Sequence, residues 1–177
     1  MTRYGMLINT KKCVGCFACR LACQMKNHLE PEESFIRFEE KETGSYPSVY
    51  NEIVPLQCQH CEDAPCESVC PTNATYTTDS GVVLVEEEKC IGCKYCMAVC
   101  PYGARIQIEE TGVIEKCRFC WDGDGPEAPA CVGTCISGAR IFGDLDDATS
   151  EISQAIAHYN AQPIAGNLSV SKIFYVR

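Results

Sequence analysis

The chain has 177 residues, 16 of them cysteine, and a formal net charge of −9 from 15 basic and 24 acidic side chains. Its length accommodates one domain or two small ones, and its acidity argues against nucleic-acid binding, where affinity rests on basic patches. Setting the cysteines aside lowers the hydrophobic share from 46% to about 37%, lean for an ordinary core, so something besides side chains is expected to fill part of the interior.

In chain order, the opening MTRYGMLINTKKC has no long apolar run and no small-residue cleavage site, so no signal peptide is read there. Within it YGMLI (Tyr4 to Ile8) reads as a short strand. The first cysteine group follows: Cys13, Cys16, Cys19 and Cys23, with a helix beginning at the third cysteine in CRLACQMKNH. Residues 24–57 are rich in acids, and GSYP (Gly44 to Pro47) marks a turn, together suggesting a surface excursion. The second group is Cys58, Cys61, Cys66 and Cys70, with a helical turn at CESVC. VVLV (Val82 to Val85) is the longest aliphatic run and reads as a strand; nothing approaches the ~20 apolar residues of a membrane span. The third group, Cys90, Cys93, Cys96 and Cys100, has its helical turn at CMAVC, followed by strand candidates RIQIE (Arg105 to Glu109) and GVIE (Gly112 to Glu115). The fourth is Cys117, Cys120, Cys131 and Cys135, with a turn at CVGTC and a strand at RIF (Arg140 to Phe142). GDLDD (Gly143 to Asp147) looks like a helix entry. SEISQAIAHY then forms an amphipathic helix capped by Ser150, with Ile152, Ala155, Ile156 and Tyr159 on one face, and KIFYV (Lys172 to Val176) closes as a strand.

Every group begins C-x2-C and ends C-x3-C, the middle gap being 2, 4, 2 and 10 residues, and no cysteine is left over. CPYGARI (Cys100 to Ile106) and CISGARI (Cys135 to Ile141) share a second echo, so one small unit is used four times. Without a secretory signal, such clusters bind metal rather than form disulfides. A C-x2-C-x2-C run offers three thiolates on one side of a tight loop, enough for three corners of an iron–sulfur cube. In the bacterial two-cluster ferredoxin pattern the late fourth cysteine ligates the other cube. Four helical residues advance about 6 Å, so Cys96 and Cys100 lie on one helical face but point to successive cubes, and Pro101 is expected to end the turn. Sixteen cysteines then hold four [4Fe–4S] clusters, adding about −8 to the formal charge. Lys and Arg near the cubes would offset that charge; Lys12, Lys89 and Lys116 directly precede a group's first cysteine, although each by itself reads rather as a solvated lysine before a loop. Structural zinc also uses C-x2-C, but normally as two separated pairs; only group four would pass as zinc if read alone. His28 and His60 are not needed as ligands, Trp121 reads as packing, cluster cover or part of a docking surface, and DGDGPE (Asp122 to Glu127) reads as a turn, since Pro126 occupies a calcium-ligand place. No Gly-rich phosphate loop or Ser/His/Asp set stands out.

The four groups, the opening YGMLINTKKCVGCFAC and the closing IFGDLDD resemble the iron–sulfur subunit of the dimethyl sulfoxide reductase superfamily, whose relatives serve polysulfide, thiosulfate and arsenate reductases. The resemblance implies an α+β fold of two interleaved ferredoxin-like units with a small C-terminal helix–strand extension. The outer unit takes residues 1–57 and 111–177, the inner unit 58–110. It implies one cluster on Cys13, Cys16, Cys19 and Cys135; its neighbour on Cys23, Cys117, Cys120 and Cys131; a third on Cys58, Cys61, Cys66 and Cys100; a fourth on Cys70, Cys90, Cys93 and Cys96. Gln24 and Ile136 stand where Pro71 and Pro101 stand in the other two groups. The role implied is a non-catalytic electron-transfer subunit in a molybdoenzyme complex of anaerobic respiration. It docks a large molybdopterin (or tungstopterin) catalytic subunit, and at its other end a quinol-linked membrane subunit or a soluble donor. The subunit is expected in the cytoplasm or at the membrane through its partners, export bound to a signal-bearing partner being compatible with the family. The alternative is a soluble polyferredoxin of an aldehyde oxidoreductase or hydrogenase complex; a zinc-stapled interaction module is more distant.

Overall fold

The computed structural model describes residues 2–122, 128–164 and 170–177. Its elements in chain order are β1 (Tyr4–Asn9), α1 (Ala18–Lys26), β2 (Arg37–Ser45), β3 (Ser48–Leu56), α2 (Pro65–Ser68), β4 (Thr75–Thr77), β5 (Val83–Val85), α3 (Tyr95–Ala98), β6 (Arg105–Gln107), β7 (Ile114–Lys116), α4 (Ala130–Gly133), β8 (Arg140–Asp144), α5 (Glu151–Tyr159) and β9 (Ile173–Val176), with one 3-10 turn at Glu87–Lys89. This is a small mixed α/β structure of short pieces, and its largest sheet joins the two ends of the chain. β1 lies at the centre, with β8 antiparallel on one side (Leu7 opposite Ile141) and β9 parallel on the other (Leu7 opposite Phe174). Alternation along β1 sends Met6 and Ile8 into the larger core and Leu7 into a smaller one shared with Ile152 and Val176.

α5 supplies the other side of that smaller core. Ser150 caps it as expected: its hydroxyl accepts from the Ser153 N–H at 3.2 Å and donates to the Asp144 carbonyl at 2.7 Å. Ile152 is fully buried, and Ala155 and Ile156 pack beside it. Tyr159 departs from the expected face. It sits in the last turn and is 38% exposed, with the Lys12 ammonium 5.8 Å from its ring centre.

The four cysteine groups each place their third cysteine at the second position of a helix: Cys19 in α1, Cys66 in α2, Cys96 in α3 and Cys131 in α4. Pro101 is not the only residue that allows such a stop. α3 ends at Ala98, and α4 ends equally at Gly133, two residues before its last cysteine, although Ile136 replaces the proline. Group one runs on for another turn to Lys26, and there Gln24, in the proline's place, is buried. Its side-chain amide donates to the carbonyls of Glu33 (2.7 Å), Pro31 (3.0 Å) and Glu30 (3.3 Å), clamping the turn that follows. α1 packs against α4, and α2 against α3.

Two hairpins, β4–β5 and β6–β7, have three residues on each side. A third, β2–β3, is much longer and turns at the Tyr46–Pro47 pair between Ser45 and Ser48, within the GSYP turn. Most of it is exposed, as the surface excursion implies; only Val54, Pro55 and Leu56 at its base are buried. Of the DGDGPE segment, residues 123–127 lie outside the described residues.

Candidate metal centres

The loops that carry the cysteines owe their shape to residues in the left-handed region. In group one these are Gly15 (φ 65°) and Phe17 (φ 58°), in group three Gly92 (φ 64°) and Lys94 (φ 66°), and in group four Phe119 and Cys120. Alternation of right- and left-handed residues turns successive N–H groups to one side, building a concave surface that suits an anion such as a thiolate-bound cluster. For a non-glycine residue this conformation costs of order 1–3 kcal/mol and persists where the surroundings impose it.

Three hollows are each lined by four cysteines. Cys13, Cys16 and Cys19 share one with Cys135, beside Phe17, Phe38 and Arg140. Cys58, Cys61 and Cys66 share a second with Cys100, beside Tyr102 and Arg105. Cys90, Cys93 and Cys96 share a third with Cys70, again beside Arg105. In each case three cysteines come from one group and one from the end of another. Cys23, Cys117, Cys120 and Cys131 are also mutual neighbours. Burial, then the proximity of Cys131 and Cys120, pushes the Cys23 thiol up to about 12, and burial with Cys23 and Cys131 nearby pushes Cys117 well above the ordinary thiol value. Among the described residues no three Cys, His, Asp or Glu side chains converge as they would on a single ion. The thiols instead ring a space, which suits a cube with a sulfur donor at each corner better than a lone tetrahedral ion with Zn–S bonds of about 2.3 Å.

Donors are aimed at several of these sulfurs. The Ala139 N–H reaches Cys135 Sγ at 3.3 Å, the Ile114 N–H reaches Cys90 Sγ at 3.5 Å, and Asn27 Nδ2 reaches Cys23 Sγ at 3.5 Å. Hydroxyls two residues downstream, Thr72 and Ser137, lie 3.8 and 3.7 Å from Cys70 and Cys135. Burial raises both of these thiols, but the hydrogen bonds outweigh it, and each ends below its ordinary value. Such donors favour the thiolate, the form that binds iron.

The charges inside are unexpected for an acidic chain. Four cations are buried among the described residues, Arg105, Lys116, Arg140 and Lys172, against one carboxylate, Glu115. Lys116 thus departs from the solvated role expected of it. It is 1% exposed, because β7 is buried along its whole length, and its ammonium donates to the carbonyls of Val83 and Cys117. Lys12 and Lys89 do lie in solvent. Lys172 donates to the Gly81 carbonyl at 2.6 Å. Arg140 donates to Gln57 Oε1 at 2.7 Å and points the same nitrogen at Cys131 Sγ, 3.8 Å away, while its second terminal nitrogen has no hydrogen-bond partner. None of the three guanidinium nitrogens of Arg105 finds an oxygen or nitrogen acceptor, and what the side chain faces is the Cys66 thiol. A buried unpaired cation is strongly unfavourable, so the interior is suited to a group bearing several negative charges, as four-thiolate iron–sulfur cubes do. The sequence reading misses these buried cations, although the GARI echo marks both arginines.

His60 is fully buried. Its Nδ1 accepts from the Val83 N–H at 3.1 Å and its ring stacks on Phe119 at 3.8 Å. Burial and the nearby Lys116, Lys172 and Arg105 hold it well below its ordinary value, and its contacts are those of a packing residue. His28 is exposed and apart from the cysteines, and Trp121 packs half-buried against the larger core.

A family model described as a 4Fe–4S dicluster domain matches residues 49–145, and a second model of the same description matches residues 12–74. A Halobacterium salinarum protein provisionally named as the iron–sulfur subunit of a dimethyl sulfoxide reductase is 40% identical over 196 residues, covering 93% of this chain and 74% of the relative. The thiosulfate reductase electron transfer subunit PhsB of Salmonella typhi is 42% identical over 156 residues, covering 86% and 80%. A sulfite dehydrogenase subunit of Allochromatium vinosum is 40% identical over 179 residues, covering 88% and 75%. The chain belongs to the 4Fe–4S dicluster family, among the iron–sulfur subunits of the dimethyl sulfoxide reductase superfamily. It is an electron-transfer subunit and not itself the catalyst.

Proposed function

We propose that the subunit holds four [4Fe–4S] clusters and relays electrons between a molybdopterin-type catalytic subunit and a quinol-linked membrane subunit or a soluble donor. Each cube, when bound, takes up and releases one electron at a time. The ligand sets are Cys13, Cys16, Cys19 and Cys135; Cys23, Cys117, Cys120 and Cys131; Cys58, Cys61, Cys66 and Cys100; and Cys70, Cys90, Cys93 and Cys96. The observation that carries this reading is the composition of the hollows, three cysteines from one group and the last from another. Because the last cysteine of each group reaches across, one helical turn ties neighbouring sites together, and short hops follow from the backbone itself.

The outer and inner units proposed, 1–57 with 111–177 and 58–110, find support in the β8–β1–β9 sheet and in the packing of α1 on α4 and α2 on α3. The chain's own residues donate to the thiolates through N–H and hydroxyl groups, exclude water and supply buried positive charge. The partners are inferred from the reductase and dehydrogenase complexes named for the relatives. No helix among the described residues is long and apolar enough to cross a membrane.

The test is anaerobic purification of the full chain, with iron and acid-labile sulfide analysis, followed by purification from its native cells with whatever binds it. The expected result is a brown protein with four cubes' worth of iron and sulfide, bound to a pterin-containing subunit. Stoichiometric zinc in a colourless protein, or a soluble complex lacking molybdenum and tungsten, refutes the corresponding part.

A further inference from the structure

The shared GARI sequence places Arg105 and Arg140 at the same step of two separate groups, five residues after Cys100 and Cys135. Each opens a strand, β6 or β8, and each is only 4% exposed. Neither forms an ion pair with a carboxylate among the described residues. Each faces sulfur from two sites, Arg140 while also donating to Gln57 Oε1. Arg105 lines both the hollow of Cys58, Cys61, Cys66 and Cys100 and that of Cys70, Cys90, Cys93 and Cys96. Its charge is felt most by Cys66 in the one and Cys96 in the other. Arg140 lines the hollow of Cys13, Cys16, Cys19 and Cys135, and it also approaches Cys131, a member of the remaining quartet. Cys131 and Cys19 are the two thiols it influences most.

We propose that Arg105 and Arg140 are shared counter-cations, each seated between two neighbouring clusters and raising the reduction potential of both. The proposal rests on the four-cluster reading above. Reducing a cube adds one electron and hence one negative charge, so a fixed positive charge nearby favours the reduced form. Guanidinium keeps its proton throughout the accessible pH range, which makes the bias permanent. Low effective dielectric inside the protein lets one charge act on both neighbours. The three nitrogens of Arg105, which find no oxygen or nitrogen acceptor and face the Cys66 thiol, distinguish this from a packing role. A side chain present only to brace the fold would have its donors spent on carbonyls, as those of Lys116 are.

The experiment uses the full iron-loaded chain with Arg105→Gln, Arg105→Lys, Arg140→Gln and Arg140→Lys, in redox titrations followed by electron paramagnetic resonance. Iron and acid-labile sulfide in the unaltered chain test the cluster reading separately; their absence overturns both. With clusters present, Arg105→Gln is expected to make reduction at least tenfold less favourable, about 59 mV for one electron, at two of the four centres. Arg140→Gln is expected to do the same at the other two. The lysine variants keep the charge and hold the original potentials. Unchanged potentials, an equal shift at all four centres, or a lysine variant that moves as far as the glutamine variant overturns the proposal. So does loss of iron from both variants at one position, because packing rather than charge would then be what the site needs. Iron lost with glutamine but retained with lysine supports it.

Discussion

Gly92→Ala is expected to damage the site far more than Gly138→Ala, although both glycines lie in the left-handed region, at φ +64° and +60°. A Cβ in that conformation costs about 1–2 kcal/mol. At Gly138 this is the whole cost, because nothing lies within 4 Å of the added atom. In a chain of this size about 1 kcal/mol corresponds to roughly 2–4 °C in unfolding midpoint, so Gly138→Ala lowers it by several degrees and keeps its iron. At Gly92 the added carbon falls 2.7 Å from the Gly112 carbonyl oxygen, a backbone atom that cannot swing aside. Relieving that overlap adds about 1–3 kcal/mol and drags the loop between Cys90 and Cys93 outward, moving two of the four sulfurs that ring one hollow. The equivalent Gly15 is a built-in control: its Cβ meets only the tip of Ile53, which can rotate away. The assay is iron per chain together with the apparent midpoint at one fixed heating rate. Gly92→Ala is expected to lose a quarter of its iron; Gly15→Ala and Gly138→Ala are expected to retain all of it. If Gly92→Ala keeps full iron and melts within about a degree of Gly138→Ala, the loop does not set the sulfur positions and the reasoning fails.

Cys100→Ala is expected to release Cys58, Cys61 and Cys66, not Cys90, Cys93 and Cys96, because Cys100 lines the former's hollow. Native alkylation with peptide mass spectrometry reads which thiols become reactive, and labelling of Cys90 and Cys93 instead would reverse the assignment. Ser150→Ala removes the cap of α5 and its bond to Asp144, costing about 1 kcal/mol, seen as a fall of a few degrees in midpoint with iron content unchanged. The Glu52 carboxyl is held below its ordinary 4.5 chiefly by hydrogen bonds from Arg177, opposed by burial and helped by the Thr10 hydroxyl. Its folded value is the lower one, so the stability it supplies is present above about pH 4.5 and is lost as pH falls through the folded value. Arg177→Ala should therefore flatten the acid limb of stability against pH by no more than about 1 kcal/mol, as for a pair open to solvent, while an acid limb identical to that of the unaltered chain would refute the pairing.

The cysteine groups announce their helices through spacing, and the apolar runs at β1, β5 and β9 announce their strands, because both signals are local. β2 carries RFEEKETGS and is solvated on most of its length, so no alternation marks it; only its register with β3 makes it a strand. β4, Thr75–Thr77, lacks the aliphatic run that marks the equally short β5. Pro101 is only part of the signal. α4 stops at the same step with Ile136 in its place, whereas α1, with Gln24 there, runs on to Lys26, so the proline is not required for the stop but its absence permits continuation. The buried cations are the least legible feature. Arginine and lysine read as surface residues unless their counter-charge is known, and here no protein carboxylate among the described residues pairs with Arg105 or Arg140.

The order of closure follows from chain distance. Cys66 and Cys100 lie roughly 34 positions apart and Cys23 and Cys131 roughly 108, and with a cost of (3/2)RT ln n the longer closure is only about 1 kcal/mol more expensive. Pairing the ends of the chain is therefore not prohibitive, and the β8–β1–β9 sheet, with Met6, Ile8 and Ile173 fully buried, more than offsets that difference. Burying cations is the greater obstacle. Arg140 must leave water as β8 joins β1, and Lys172 as β9 does, while the lean apolar content of the chain leaves little burial energy to compensate. Negative charge held on the sulfurs removes that penalty where it arises. If the sites hold clusters as proposed, seating Arg105 between its hollows and Arg140 beside Cys131 becomes favourable together with loading, and closure of each proposed unit is coupled to its own metal centres.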